Sequence, residues 1–137
     1  MDRAALKLEV VTPTRQVWSG DVVNIIARTT EGDIGILPGH TPLLAMLVPC
    51  AVEIITVDGR SEWFAVDRGF MSVSHGNVRL MTQQVVLSSE ITLEHAYAEA
   101  SALRPQREDG SISDGDNHRL RLLDAQIRAG ERAHSQN

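Results

Sequence analysis

The sequence predicts a mainly β protein with an α appendage: an N-terminal β-sandwich or flattened barrel over residues 1–90, then a two-helix segment over residues 91–137. Three observations predict it. Short β-branched runs with period-two alternation fill residues 6 to 90, turn-forming residues punctuate them at close spacing, and helical periodicity begins only after Ile91.

In the first strand Leu6, Leu8 and Val10 alternate with Lys7 and Glu9, giving one apolar and one polar face. Val22 to Ala27 continues with Val23, Ile25 and Ile26, and Val52, Ile54, Ile55 and Val57 form another β-branched run. Asp58-Gly59 supplies a hairpin turn, and Trp63-Phe64-Ala65-Val66 begins the return strand. A second hairpin consists of Met71 to Ser74, the turn His75-Gly76-Asn77, and Val78 to Met81.

Between these strands lies the most constrained segment of the chain, Glu31-Gly32-Asp33-Ile34-Gly35-Ile36-Leu37-Pro38-Gly39-His40-Thr41-Pro42-Leu43. Its glycines permit positive φ or close backbone approach, while Pro38 and Pro42 fix their own φ and extend the residue before each. Ile34, Ile36 and Leu37 are enough for one short buried strand, with Asp33 and His40 at its edges on solvent-facing turns. A shaped polar tip on a β scaffold reads as a docking surface.

After Ile91 the period changes. Thr92 is positioned as an N-cap and Glu94 lies in the first turn, where an acid favours the helix dipole. Leu93, Ala96, Tyr97, Ala100 and Leu103 follow on one face, and Pro105 ends the helix or sits just beyond it. Residues 104–115 read as a polar, mobile connector containing Asp109-Gly110 and Asp114-Gly115. Asp116 or Asn117 then caps a second helix carrying Leu120, Leu123 and Ile127, weakened at Gly130 and frayed from His134 to Asn137. Helices of about three or four turns are marginal alone in water, so both stripes need something to pack against.

Composition excludes several classes. A net charge of −5 argues against a general binder of phosphate backbones. The single Cys50 excludes an internal disulfide and, sitting among apolar residues, reads as a small buried hydrophobe. Met1-Asp2-Arg3 leads into alternating sequence without an apolar core, so no signal peptide is expected. The most apolar stretch, Leu43 to Val57, is interrupted by Pro49 and Glu53 and too short to span a bilayer, which makes the chain read as cytosolic. The five histidines (His40, His75, His95, His118 and His134) lack metal-ligand spacing, no glycine-rich loop opens a helix, and a His40–Asp33 pair has no nucleophile to serve. No enzymatic activity, cofactor or metal is expected.

The Glu31-to-Leu43 run, together with Leu6-Lys7-Leu8-Glu9-Val10-Val11-Thr12-Pro13, Phe64-Ala65-Val66 and Gly69-Phe70, resembles the epsilon subunit of the F-type ATP synthase, called delta in mitochondria. The resemblance covers roughly residues 6 to 92. It implies a non-catalytic rotor-stalk subunit that couples rotation of the membrane c-ring to the catalytic head through the gamma subunit. Such a subunit sits peripherally on the cytoplasmic face of the bacterial plasma membrane.

Carried over by position, Glu31, Asp33 and His40 become the c-ring contacts, and Thr12, Pro42, Leu43, Leu44 and Met46 the gamma contacts, with a core role for Leu43, Leu44 and Leu47 open beside it. A purely structural role for His40, bonding backbone left unpaired by the prolines, stays open beside the ring contact. The family's Ile/Leu-Asp-x-x-Arg-Ala motif, which helps bind ATP, falls on Ile91-Thr92-Leu93-Glu94-His95-Ala96. Ile91 and Ala96 match, but Thr92 replaces the acid and His95 the arginine, so weak or absent ATP binding is expected. Arg121, Arg128 and Arg132 share a helix face, either as a solvated basic surface or, as the family implies, an arm reaching the alpha/beta head to hold hydrolysis back. The long connector leaves open whether the two helices fold back on each other. The rival reading is a free-standing β-sandwich ligand-binding module with a helical sensor tail, which would require a concave apolar pocket.

Overall fold

In the computed structural model, which describes residues 4–135, the β-branched runs pair as nine strands. They are β1 (Leu6–Val11), β2 (Gln16–Thr29), β3 (Gly32–Ile36), β4 (Leu43–Leu47), β5 (Cys50–Thr56), β6 (Ser61–Val66), β7 (Gly69–Ser74), β8 (Asn77–Thr82) and β9 (Val85–Leu87). A 3-10 turn at Ser88–Glu90 leads to helices α1 (Leu93–Glu108) and α2 (Asp114–Ser135). The readings at Met1 to Arg3 and at Gln136 and Asn137 lie outside the described residues.

Alternation decides what each strand buries. Leu6, Leu8 and Val10 point inward from β1, Val52 and Ile54 from β5, and Val78 and Leu80 from β8, joining Ile25, Ile36, Phe64 and Met71 in one aliphatic core. β2 is longer than its sequence signal, because Ser19-Gly20-Asp21 interrupts the alternation where Gln16 to Val22 pairs with β1. An irregularity between Val22 and Asn24 turns the strand, and its second half pairs with β3 on one edge and β5 on the other. β1 also runs parallel to β8, so β1, β8, β7, β4 and β2 close into a ring, from which β5, β6 and β9 extend. The result is a flattened barrel of the sandwich type.

β6 differs from the other strands in burying both faces over Trp63 to Val66. Phe64 and Val66 enter the barrel core, while Trp63 and Ala65 lie under α2 with Ala125 and Ala129. The continuous apolar run from Trp63 is the sequence mark of such a strand.

Four helix expectations need correction, the last of them at Gly130. α1 continues through Pro105 to Glu108. The ring removes a backbone hydrogen bond there, but contacts on either side hold the helix: Arg104 Nη2 donates to Asp124 Oδ1 at 2.7 Å and Arg107 Nε to Asn117 Oδ1 at 2.9 Å. The stop is Gly110, at φ +79°, a left-handed C-terminal cap. The connector therefore spans only residues 109–113, a length ordinary for helix hairpins, and the helices do fold back on each other. α2 begins earlier than Asp116 or Asn117 because Ser113 caps it, its Oγ accepting the Asp116 N–H at 3.1 Å. Thr92 stands at the N-cap of α1 without a side-chain cap bond.

α2 is the central layer, lying between α1 and the outer face of β5 and β6. On one side Leu120 and Leu123 meet Ala96 and Ala100. Gly130 sits inside α2 and does not weaken its end: a Cβ there would stand 2.8 Å from Leu93 Cδ2, so glycine lets the start of α1 approach closely.

Candidate functional site

The Glu31-to-Leu43 segment is a turn, a strand and a second turn. Glu31 is exposed at the β2–β3 turn, where its N–H donates to Thr29 Oγ1 at 3.1 Å and the Thr29 hydroxyl donates to the Gly32 carbonyl at 2.9 Å. Asp33, on β3, accepts from Arg28 Nε at 2.7 Å, and that bond holds its carboxyl below the usual carboxylate range. His40 lies past the other end of β3. It is half-buried, its N–H donating to the Leu37 carbonyl at 3.1 Å and its Nδ1–H to the Thr41 carbonyl at 2.7 Å. This is the backbone-bonding role left open in the sequence, and it leaves Nε2 available. The fold thus keeps Glu31 and Asp33 together but sets His40 apart along the length of β3. Leu37 is not part of a buried strand: it is 58% exposed, beyond the last residue of β3.

A second surface lies on the β4–β7 ribbon. Antiparallel pairing sets Met46 opposite Phe70 and Leu44 opposite Ser72, so alternation turns Leu44 (68% exposed), Met46 (55%) and Phe70 (45%) to the same outer face. Thr12 shares a shallow depression with Phe70 and Gly69, which extends the face toward the end of β1. Leu43 turns partly toward the core, and Pro42 is exposed just before the strand. Phe70 was not among the expected contacts, although its alternation with the buried Met71 marks it as outward-facing.

Thr92, His95 and Ala96 line a pocket at the start of α1 with Glu99 and Arg119. Arg119 grips the Glu99 carboxylate with both prongs, Nε at 2.5 Å and Nη2 at 2.8 Å, and that bond pulls the Glu99 carboxyl down. The pocket's arginine is therefore engaged. Ile91 packs instead against the cluster around Trp63. Of the helical arginines, Arg121 and Arg128 line a cleft against the sheet near Arg28 and Asp33, whereas Arg132 is exposed in the last turn of α2. His118 Nε2 reaches Asp67 Oδ1 at 3.1 Å, tying α2 to the β6–β7 turn, a contact the sequence reading missed because 51 residues separate the two.

Among the described residues no set of three His, Cys, Asp or Glu side chains is gathered to hold a metal. Burial pushes the Cys50 thiol up, so the protonated form persists near neutral pH. Among the described residues no helix is long and apolar enough to cross a membrane.

The described residues thus form a nine-stranded flattened barrel of the sandwich type followed by a helical hairpin, with an apolar outer face and a glycine-rich tip. Residues 5–88 match the family model described as ATP synthase, Delta/Epsilon chain, beta-sandwich domain. An ATP synthase epsilon chain of Cutibacterium acnes is 44% identical, with 99% of each chain covered. Another from Streptomyces avermitilis is 42% identical over 77% of this chain and 91% of its own. Among solved structures, a chain of the Euglena gracilis mitochondrial ATP synthase complex (OSCP/F1/c-ring) superposes with a TM-score of 0.77 at 22% identity, covering 96% of this chain and 82% of that one. A chain of the Tetrahymena thermophila mitochondrial ATP synthase central stalk and c-ring gives 0.58 at 17% identity, covering 97% and 98%. The chain belongs to the ATP synthase delta/epsilon family.

Proposed function

We propose that the chain is a non-catalytic central-stalk subunit of a rotary ATP synthase, transmitting rotation between a membrane c-ring and the catalytic head through a gamma subunit. The observation that carries this reading is the exposed apolar face of Leu44, Met46 and Phe70, set on a stiff closed barrel in a chain 44% identical over its length to an epsilon chain. Apolar side chains clustered outward on a rigid ribbon suit a persistent protein interface. Thr12 and Pro42 border that face and Leu43 supports it from beneath, so gamma takes this side.

The c-ring takes the edge of β3. Glu31 offers an exposed carboxylate at one end and His40 a free Nε2 at the other, so polar ring loops would meet the strand along its length rather than at one point. Asp33 contributes through its pair with Arg28, which fixes the β2–β3 turn. In the assembled enzyme the subunit is peripheral, on the cytoplasmic face of the bacterial plasma membrane.

The hairpin is the candidate brake. Arg121, Arg128 and Arg132 would face acidic segments of the alpha/beta head if α2 left the sheet. The test is ATP hydrolysis by a reconstituted catalytic head given either the full-length chain or a chain ending at Glu90. Binding by both, with slowing by the full-length chain alone, is the expected result. Failure of both to bind the gamma-containing head would overturn the assignment, and equal rates with both would remove the brake.

A further inference from the structure

A cleft of about 380 Å3, bordered by the Arg28–Asp33 pair, opens between α2 and the outer face of the sheet. That size lies within the range of small-molecule sites, roughly 300–1,000 Å3. Cys50, Ala51 and Trp63 give it an apolar wall, and Arg28, Arg107, Arg121 and Arg128 give it a cationic rim. The two acids beside it are already engaged: Asp33 holds Arg28 at 2.7 Å, and Asp124 holds Arg104 at 2.7 Å and Arg107 at 3.8 Å. Among the described residues Arg121 and Arg128 have no carboxylate within ion-pair distance. They stand on one face of α2, about 10 Å apart along the axis, a gap that two arginine side chains can close around one anion. A local cationic excess in a chain of net charge −5 needs a reason.

The wall supplies a second, independent observation. Trp63 is only 8% exposed, yet its indole N–H has no acceptor among the described residues. Indole nitrogen is a donor only, and buried donors are nearly always paired. Trp63 lines the same cleft as Arg121 and Arg128, so a ligand seated there would lie against the indole with its negative charge at the two guanidinium groups.

We propose that this cleft binds a small organic anion, with a flat apolar body against Ala51 and Trp63 and a phosphate or carboxylate between Arg121 and Arg128. The guanidinium fork matches either group bidentately. The site is separate from the pocket at the start of α1, where Arg119 is closed off by Glu99. It also does not depend on the brake, since it needs only the compact hairpin described here.

The experiment is an NMR titration of the full-length 15N-labelled chain, following the Trp63 indole N–H. The probes are phenyl phosphate, benzoate and inorganic phosphate. Phenyl phosphate or benzoate should move the signal saturably, and the tighter of the two identifies the acid group preferred. Arg121→Gln combined with Arg128→Gln should weaken that binding at least about tenfold, and His95→Ala should leave it unchanged. Each variant's melting temperature confirms that it is folded. No movement with either aromatic acid up to about 10 mM would overturn the site. Equal binding by the double variant would do the same, and inorganic phosphate binding as tightly as the aromatic acids would refute the apolar body.

Discussion

Replacing Ala129 with leucine tests how the hairpin is seated. Ala129 is fully buried beside Ala125 on the face of α2 that meets Trp63 and Ala65, a seam made of one large and several small side chains. Leucine adds three carbon atoms where helix and sheet are already in contact. Overpacking of this kind costs about 1–3 kcal/mol. If the whole cost falls on the seam, the docked-to-undocked ratio drops by about fivefold to 150-fold. Trp63 reports the change directly once Trp18→Phe removes the other tryptophan. Its emission should shift toward that of a water-exposed indole, and amide exchange along α2 should accelerate while β1 and β8 stay protected. Unchanged Trp63 emission together with unchanged exchange in α2 would refute the seating of α2 on β6.

Four further outcomes follow from individual contacts. A Cβ at Gly69 would lie 1.9 Å from the Met81 carbonyl oxygen, so Gly69→Ala should destabilise the barrel by about 3 kcal/mol or more in urea unfolding. Met46→Asp with Phe70→Ala should abolish binding to a gamma-containing head in sedimentation, with melting temperature nearly unchanged, because both side chains face outward. Arg119 lowers the Glu99 carboxyl in the folded chain, so this pair's contribution is complete above the ordinary glutamate range and is lost as pH falls through the lower folded value. Glu99→Gln should therefore flatten the acid limb of a stability–pH profile, by a small amount since the pair is largely solvated. MgATP should leave the amide signals of Thr92 to Ala96 unmoved, because His95 and the closed Glu99–Arg119 pair leave no free arginine lining that pocket for its phosphates.

What the sequence made legible is what local physics determines. Period-two alternation located the core of β1, β5 and β8, and the His75-Gly76 turn was readable because two residues at positive φ are what a tight hairpin demands. The misreadings arose where tertiary contacts override local rules. Pro105 is an ordinary helix stop, overruled here by Arg104 and Arg107 bonding across to α2. Asp116 and Asn117 looked like caps, but Ser113 took that place once Gly110 had ended α1 two residues before Ile112 docked on α2. At the candidate site, exposure of Leu44 and Met46 could not be read from an apolar run that equally suits a buried strand. The separation of Asp33 from His40 was legible as the two edges of a short strand, but that Asp33 lies within β3 and Leu37 outside it was not.

The two parts of the fold are held by different kinds of contact, and that difference bears on which part moves. The barrel buries Leu, Ile, Val, Met and Phe side chains, many with no solvent exposure at all. Fully burying such a side chain contributes roughly 1.5–3 kcal/mol. The α2–sheet seam buries chiefly alanines around Trp63, and alanine has little apolar surface to remove from water. Its other tie is polar: His118 to Asp67, two side chains of which the histidine keeps 27% exposure. Within the hairpin, by contrast, Leu120 and Leu123 are sealed against α1. The weakest boundary in the chain is therefore the seam between hairpin and barrel, not the contact between the two helices. An opening of the molecule would release α1 and α2 as a pair and leave the barrel closed. Under the proposed stalk role, a body held rigid between gamma and the c-ring and an arm that can be released would place opposite demands on packing, and large aliphatic side chains suit the first while alanines suit the second.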